Sequence, residues 1–385
     1  DILLLPFKLS TVTTPQYIRE LREDVRAFLD VELKSLSPVD RAKSWFGFDP
    51  DFSRKLGARA WIGMTWPKDY GGHERPAIDR YVIIEELLAA GAPVGAHWIA
   101  DRQSGPLLLK FGSDAAKANF LPRIAKGELF FCIGMSEPNA GSDLAAIETS
   151  AERTEGGWIV NGAKLWTTNI EHSHMMIALV RTDRHDESRH GGLSQFIIDL
   201  SASGVTRHAI EDHQSEKHFG EVFFDNVFVP DDMVVGEPGQ GWMQVNAELA
   251  LERSGPERYL SSHRLYEEFI RSHQKSNDSN IVRLAGELTA RLWTLRQMSL
   301  SVAKHVGDGD NPTLEAAIVK DLGATFEQDI PPLIQAALLD SGDGASDTTQ
   351  QEIMEYLLLF SPAFSLRGGT REILRGIISR EIGLR

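Results

Sequence analysis

The hydrophobic period of this 385-residue chain changes twice, and that double change limits its architecture more than any single motif. From about residue 12 to 125 apolar residues recur at helical spacing. Tyr17, Leu21, Val25, Phe28 and Leu29 follow Thr14-Pro15, which reads as a cap and first-turn pair, and residues 81–90, YVIIEELLAA, are stopped by Gly91 and Pro93. From about 126 to 235 the pattern is different. Short segments rich in β-branched and aromatic residues (158–160, 175–180, 195–199 and 221–229) are separated by turn signals such as Glu155-Gly156-Gly157, Asn161-Gly162 and Gly191-Gly192. After Trp242 the helical period returns. Residues 281–306 and 314–326 read as long helices, with polar breaks at 272–280 and 307–312 and a polar loop at 341–350. The closing run 370–385 places Ile373, Leu374, Ile377, Ile378 and Ile382 largely on one helical face. Short strands with no helix between them predict an antiparallel barrel or sandwich set between two helical parts, not a parallel sheet.

Composition narrows the function classes. At roughly 150 residues per domain, two or three domains are expected. The net charge of -15 argues against nucleic acid, whose phosphates need a basic face; it suits a basic protein partner, or solubility alone. No apolar run approaches the roughly 18 residues of a membrane-spanning helix, and residues 1–9 lack the features of a signal peptide, so a cytoplasmic protein with no membrane partner is expected. The single cysteine, Cys132, falls in an apolar run and reads as a small buried hydrophobe; no Cys/His spacing suits a metal. Gly236, Gly239 and Gly241 lack the spacing of a dinucleotide fingerprint and read as a linker.

Residues 131–143, FCIGMSEPNAGSD, carry the strongest chemical signal. An apolar strand breaks into a polar turn, in which Gly141 lets backbone approach a ligand and Ser136 and Ser142 offer hydroxyls beside backbone N–H groups. The run resembles the flavin-contacting signature of acyl-CoA dehydrogenases, an aromatic and a few small or apolar residues before Thr/Ser-Glu-Pro-x-Ala-Gly-Ser-Asp. Residues 63–72, GMTWPKDYGG, resemble the W-P-x-x-Y-G-G element of the same family, and their aromatics read as packing. The resemblance runs from about residue 12 to the C-terminus. It implies an α+β fold with an N-terminal helical domain (12–125), a central antiparallel β-barrel domain (126–235) and a C-terminal helical bundle (236–385). It also implies FAD as cofactor, an acyl-CoA thioester as substrate, and an electron-transfer flavoprotein as the partner that takes the electrons.

Family positions carry over residue by residue. Ile133, Met135, Ser136, Gly141 and Ser142 would line the flavin, with Ser142 also near the thioester. In KLWTTN, Trp166 would lie against the flavin ring and Thr168 would bond near its reactive nitrogen; two residues apart on a strand, they share a face. Thr370 and Glu372 match positions that touch the flavin's outer portion. The reaction needs a carboxylate to take the α-proton. Much of the family carries it near the C-terminus, where this chain has Gly368 in Arg367-Gly368-Gly369-Thr370. A minority carries it in a Glu-Arg pair, and ELALERSGPER supplies Glu252-Arg253. Glu252 is therefore the expected base and Arg253 a substrate contact, while the backbone N–H of Gly368 would polarise the thioester carbonyl. Pro256 should break the helix at this turn. By residue type alone, Glu252, Arg253, Glu257 and Arg258 also read as a solvated run of salt bridges.

Two family elements that one subunit gives to its neighbour's flavin, Arg-x-x-Phe-Gly and Gln-x-x-Gly-Gly, are missing: the matching stretches read SHQKSNDSN and QAALLDSGD. That asymmetry implies either a homo-oligomer completed by other residues, such as His273, Lys275 or Arg283, or an α2β2 assembly with a second dehydrogenase-like chain. The rival readings are a flavin oxidase or monooxygenase on the same fold, and a non-catalytic subunit that completes a partner's site.

Overall fold

The computed structural model describes residues 8–183, 188–341 and 347–384, and the side chains of 248–252 lie outside that description. Packing divides the chain into two compact units. One takes Asp1–Gly47, Pro76–Pro93 and Glu252–Arg385; the other takes Phe48–Arg75 and Val94–Leu251.

The first unit is helical. Helix Tyr17–Glu32 buries Ile18, Val25 and Leu29, and Ile18 packs with Tyr81, Val82 and Leu300 from helices Ala77–Ala89 and Ser279–Gly307. The first of these helices starts with Gln16 at its cap and no side-chain cap bond, so Thr14-Pro15 precedes the helix and does not cap it. Asp278 does cap: its carboxylate accepts from the backbone N–H of Asn280 and Ile281, which fixes the start of helix Ser279–Gly307. Helix Thr313–Ser341 runs well past the expected end at 326, straight through Pro331-Pro332. Ile330, Ile334 and Leu338 continue the buried stripe at four-residue steps, and that burial outweighs the backbone bonds the prolines cannot make. The last helix, Arg371–Glu381, buries Leu374 and Ile377 but leaves Ile373 exposed, so the expected five-residue face is narrower than its sequence suggests.

The second unit is built on one sheet of eight strands: β1 (Phe131–Gly134), β2 (Ser150–Thr154), β3 (Gly157–Thr168), β4 (Met175–Arg181), β5 (Leu193–Asp199), β6 (Val205–Ile210), β7 (Phe219–Pro230) and β8 (Val234–Val235). The order is β6-β7-β3-β2-β4-β5-β8, with β1 paired to β4. This is an open path, where a closed antiparallel barrel was expected. Nor is it wholly antiparallel: β1 and β4 run parallel, Phe131 beside Met175 and Gly134 beside Ala178, because the β2–β3 hairpin lies between them in sequence and supplies the crossover. Asn161-Gly162 proves not to be a turn. It lies inside β3 at a register shift against β7, with Gly162 at φ 142°, where a Cβ would press on Thr149. Cys132, Val160, Met176, Phe196, Ile198, Val222 and Phe224 fill the sheet's core, and burial pushes the Cys132 thiol up to about 12, as fits an inert small hydrophobe. In the 63–72 connector Trp66 is buried and a Cβ on Gly72 or Gly105 would collide with it, which is a packing role.

Candidate active site

β1 enters the site as a buried strand and leaves it as a tight turn. Glu137 N donates to Ala140 O at 2.8 Å and Ala140 N to Glu137 O at 3.1 Å, folding Pro138-Asn139 outward. Met135 and Ser136 are half-buried and Gly141 and Ser142 are exposed. A Cβ built on Gly141 meets nothing within 4 Å, so this glycine faces open space. Leu165 N donates to Ser136 O at 2.8 Å, which docks the loop on β3 one residue before Trp166.

At that point β3 bulges. Its register against β7 slips between Lys164 and Thr167, and Trp166 stands in the left-handed region at φ 60° with its indole 58% exposed. A bulky residue there costs about 1–2 kcal/mol. The expectation that Trp166 and Thr168 share a face rested on a regular pleat, and the bulge removes that argument. What the structure provides is a buried Thr167, its hydroxyl without a partner, flanked by an exposed Trp166 and a half-buried Thr168. Phe219 meets the indole edge to face at 6.5 Å. An open aromatic ring held at a strained backbone position beside hydroxyls and backbone N–H groups fits a planar ring with polar edges such as a flavin. Ile133 on β1, Met135, Ser136, Gly141 and Ser142 in the turn after it, and Trp166 and Thr168 on β3 thus belong to one unit, and the Leu165–Ser136 bond ties the turn to β3.

Glu252, Arg253, Gly368, Thr370 and Glu372 belong to the other unit. Helix Gly241–Glu252 ends at Glu252 and a short helical turn restarts at Pro256, the break that Pro256 predicts. The Glu252 side chain lies outside the described residues. Arg253 is buried, and Glu257 and Arg258 are each only 2% exposed, with Arg258 Nε 3.7 Å from Glu257 Oε1. For Arg253, Glu257 and Arg258 the reading as solvated salt bridges is therefore corrected: these charges are packed in the interior, and Arg258 lies close beneath helix Thr313–Ser341, where a Cβ on Gly323 would collide with Arg258 O.

Gly368 and Gly369 both take positive φ, 65° and 96°, conformations that glycine adopts without strain. Their loop is tied down at both ends. Lys320 Nζ donates to Gly369 O at 2.8 Å, and Arg367 Nη2 donates to Ser261 Oγ at 2.6 Å and Glu327 Oε2 at 2.9 Å. Glu327 also accepts from Ser261 N at 2.7 Å, so this one carboxylate joins the Arg367 loop to the chain that follows Pro256. Burial raises Glu327 against the pull of Arg367, and burial lowers the Arg367 guanidinium to about 10, where it lies 4.5 Å from the Phe364 ring and 4.9 Å from the Trp45 ring. Thr370 occupies the cap position of helix Arg371–Glu381; Glu372's own backbone N–H, and then the Thr370 hydroxyl, hold the Glu372 carboxylate below its usual range.

Sequence reading missed the buried anchors Lys164, Lys320, Glu327 and Arg367. The signal for Lys164 was its inward place between apolar neighbours on β3; Lys320 and Glu327 are seven residues apart on one helix face, a spacing that turns on where that helix packs. Among the described residues no helix is long and apolar enough to cross a membrane, and no group of three or more His, Cys, Asp or Glu is placed to hold a metal.

Residues 16–128 match the acyl-CoA dehydrogenase N-terminal domain and residues 132–227 match the acyl-CoA dehydrogenase middle domain. The chain is 31% identical to the acyl-CoA dehydrogenase IpdE1 of Mycobacterium tuberculosis over 388 aligned residues, covering 95% of this chain and 97% of that protein. Among solved structures it resembles the Tcur3481-Tcur3483 steroid ACAD (TM-score 0.85, 25% identity, 97% of this chain and 98% of that one). It also resembles the ChsE4-ChsE5 complex from Mycobacterium tuberculosis (TM-score 0.79, 26% identity, 96% and 98%).

Proposed function

The chain belongs to the acyl-CoA dehydrogenase family of FAD-dependent oxidoreductases, and from that premise we propose that it introduces a 2,3-double bond into an acyl-CoA thioester, with Glu252 as the base. FAD supplies the acceptor for the β-hydride. The chain's own groups do the rest. Glu252 takes the α-proton; Gly368 N–H polarises the thioester carbonyl; Arg253 and Ser142 contact the substrate. Ile133, Met135, Ser136, Gly141, Ser142, Trp166 and Thr168 hold the flavin ring, and Thr370 and Glu372 its outer portion. The observation that most supports this reading is the Leu165 N to Ser136 O bond, which joins the signature loop to the strand that presents Trp166 and Thr168. On this reading segments 12–125, 126–235 and 236–385 are the family's helical, β and helical domains, the location is cytoplasmic, and an electron-transfer flavoprotein reoxidises the enzyme.

We further propose an α2β2 assembly with a second dehydrogenase-like chain and a bulky, steroid-like acyl group. Two similar structures are named as pairs of chains, one of them as a steroid ACAD. The stretch 272–280, where a partner-directed arginine element would fall, is spent on local structure: His273 bonds Phe269 O at 2.9 Å and Asp278 caps a helix. The test is to purify the chain alone and with a co-expressed homologue, and to measure native mass, flavin content and flavin bleaching by a panel of acyl-CoAs. Weak FAD binding alone, with about one flavin per heterodimer on co-expression, is expected. A stable homotetramer, fully loaded with FAD and active, would overturn the two-chain reading; a colourless complex would overturn the enzymatic one.

A further inference from the structure

We propose that Lys164 is a positioning residue for the flavin loop, setting the Met135–Ser136 backbone through Met135 O and Glu137 without itself touching the cofactor. The Lys164 side chain is fully buried on β3, its Nζ 2.7 Å from Glu137 Oε1 and 3.2 Å from Met135 O. Glu137 in turn accepts from Glu148 N at 2.7 Å and Thr149 N at 3.0 Å. One ion pair thereby fastens three stretches of backbone together: the loop after β1, the entry to β2, and β3. Leu165 N, on the residue after the lysine, fixes Ser136 O, so successive residues of β3 hold successive carbonyls of the loop.

Room has been made for this arrangement. A Cβ on Gly134 would stand 3.1 Å from Lys164 Cγ and collide with Met176 Sδ, so the lysine stem crosses β1 where there is no side chain. Stability is a poor reason for such a pair. A charged lysine at an inward strand position costs desolvation, and a pair of well-packed apolar residues commonly does as well or better. What apolar residues cannot supply is a donor aimed at Met135 O.

The inference rests on the reading that Met135 and Ser136 contact FAD, and the experiment separates the two. FAD affinity, the visible flavin spectrum, and the melting temperature with and without FAD are measured for the wild-type protein, Lys164→Met, the double variant Lys164→Met/Glu137→Gln, and Ser136→Ala. Lys164→Met should lower both stability and FAD affinity, because it strands the Glu137 carboxylate. The double variant removes that stranded charge. It should recover the flavin-free melting temperature while still binding FAD about tenfold more weakly, the loss of one hydrogen bond from a charged donor, with a shifted flavin band. Wild-type affinity and spectrum in the double variant, beside a weakened Ser136→Ala, overturn the positioning role. A double variant that melts as low as the single one overturns it too, because the pair then serves the fold. No change in Ser136→Ala or in the double variant overturns the flavin reading of this loop, and the proposal with it.

Discussion

The 135–143 loop of one unit and the 367–370 loop of the other solve the same problem in opposite ways. Each is an irregular polar segment held by a fully buried lysine that donates to a backbone carbonyl, Lys164 to Met135 O and Lys320 to Gly369 O. Each also has a carboxylate in an ion pair, Glu137 half-buried and Glu327 fully buried. In the first the loop supplies the carboxylate, Glu137, and the scaffold the cation; in the second the loop supplies the cation, Arg367, and the scaffold supplies Glu327. The backbone differs as well. Gly141 faces open space with no positive φ, whereas Gly368 and Gly369 both sit in the left-handed region. The first loop is shaped by side-chain bonds and the second by glycines. A loop that depends on glycine for its shape is a poor place for a catalytic side chain but a good one for a backbone donor.

The largest effect expected from that contrast lies outside both loops. If the 367–370 loop offers only backbone, the base must come from elsewhere, and Glu252→Gln should slow flavin reduction by an acyl-CoA about 10² to 10⁴-fold while leaving flavin content unchanged. Stopped-flow bleaching reads it directly. Near wild-type reduction would break the contrast, because a second carboxylate would then have to serve.

How much of this could be read in advance divides along the same line. The helices, the switch to β structure, the break at Pro256 and the strand-to-turn form of residues 131–143 were legible because period, proline and a short motif are local signals. β2 and β6 were not: SAERT has one apolar residue and VTRHAI does not alternate apolar with polar, so their pairing to β3 and β7 carries the strand signal. The parallel β1–β4 pair was hidden for a related reason, since nothing in either segment records which distant strand it joins. The bulge that puts Trp166 in a left-handed conformation has no glycine to announce it. Lys164 keeps the inward phase of Trp158 and Val160 on β3, but nothing in KLWTTN names its partner; only the packed sheet sets it against Glu137.

Titration gives the next largest effect and separates the two carboxylates. Burial holds the Lys164 ammonium down to about 8 from its ordinary 10.5, with Glu137 pulling the other way. Between those values the unfolded chain binds more protons than the folded one, so stability rises with pH across the window, by roughly 1–3 kcal/mol. Denaturant midpoints of the flavin-free protein from pH 7.5 to pH 10.5 should show that rise, and Lys164→Met should flatten it. On the acid side the signs oppose. Partial burial pushes Glu137 up, yet Lys164 and the backbone donors hold it below its ordinary 4.5, so its contribution is lost as pH falls through its folded value. Burial lifts Glu327 above 4.5 despite Arg367, so its contribution is full below that value and is lost as pH rises through the folded one. Equal slopes in Glu137→Gln and Glu327→Gln would erase the distinction between the loops.

The smallest effect is also the most direct test of what shapes each loop. Gly369 at φ 96° should lose about 1–2 kcal/mol of stability on change to alanine, whereas Gly141→Ala should fall within about 0.5 kcal/mol of wild type. Space is not the cause of the difference. A Cβ at Gly369 would come no nearer than 3.6 Å to Ile373 Cγ2, an ordinary contact, so the cost at this position is conformational. A conformational cost makes its own demand on the ranking: asparagine tolerates left-handed backbone better than alanine, so Gly369→Asn should be the milder change despite its larger side chain. Chemical denaturation of the flavin-free variants decides it. If alanine proves milder than asparagine, volume governs this loop after all; if Gly369→Ala is as silent as Gly141→Ala, the glycine pair does not set the loop's shape, and the bonds from Lys320 and Arg367 suffice, as those from Lys164 and Glu137 do in the other unit.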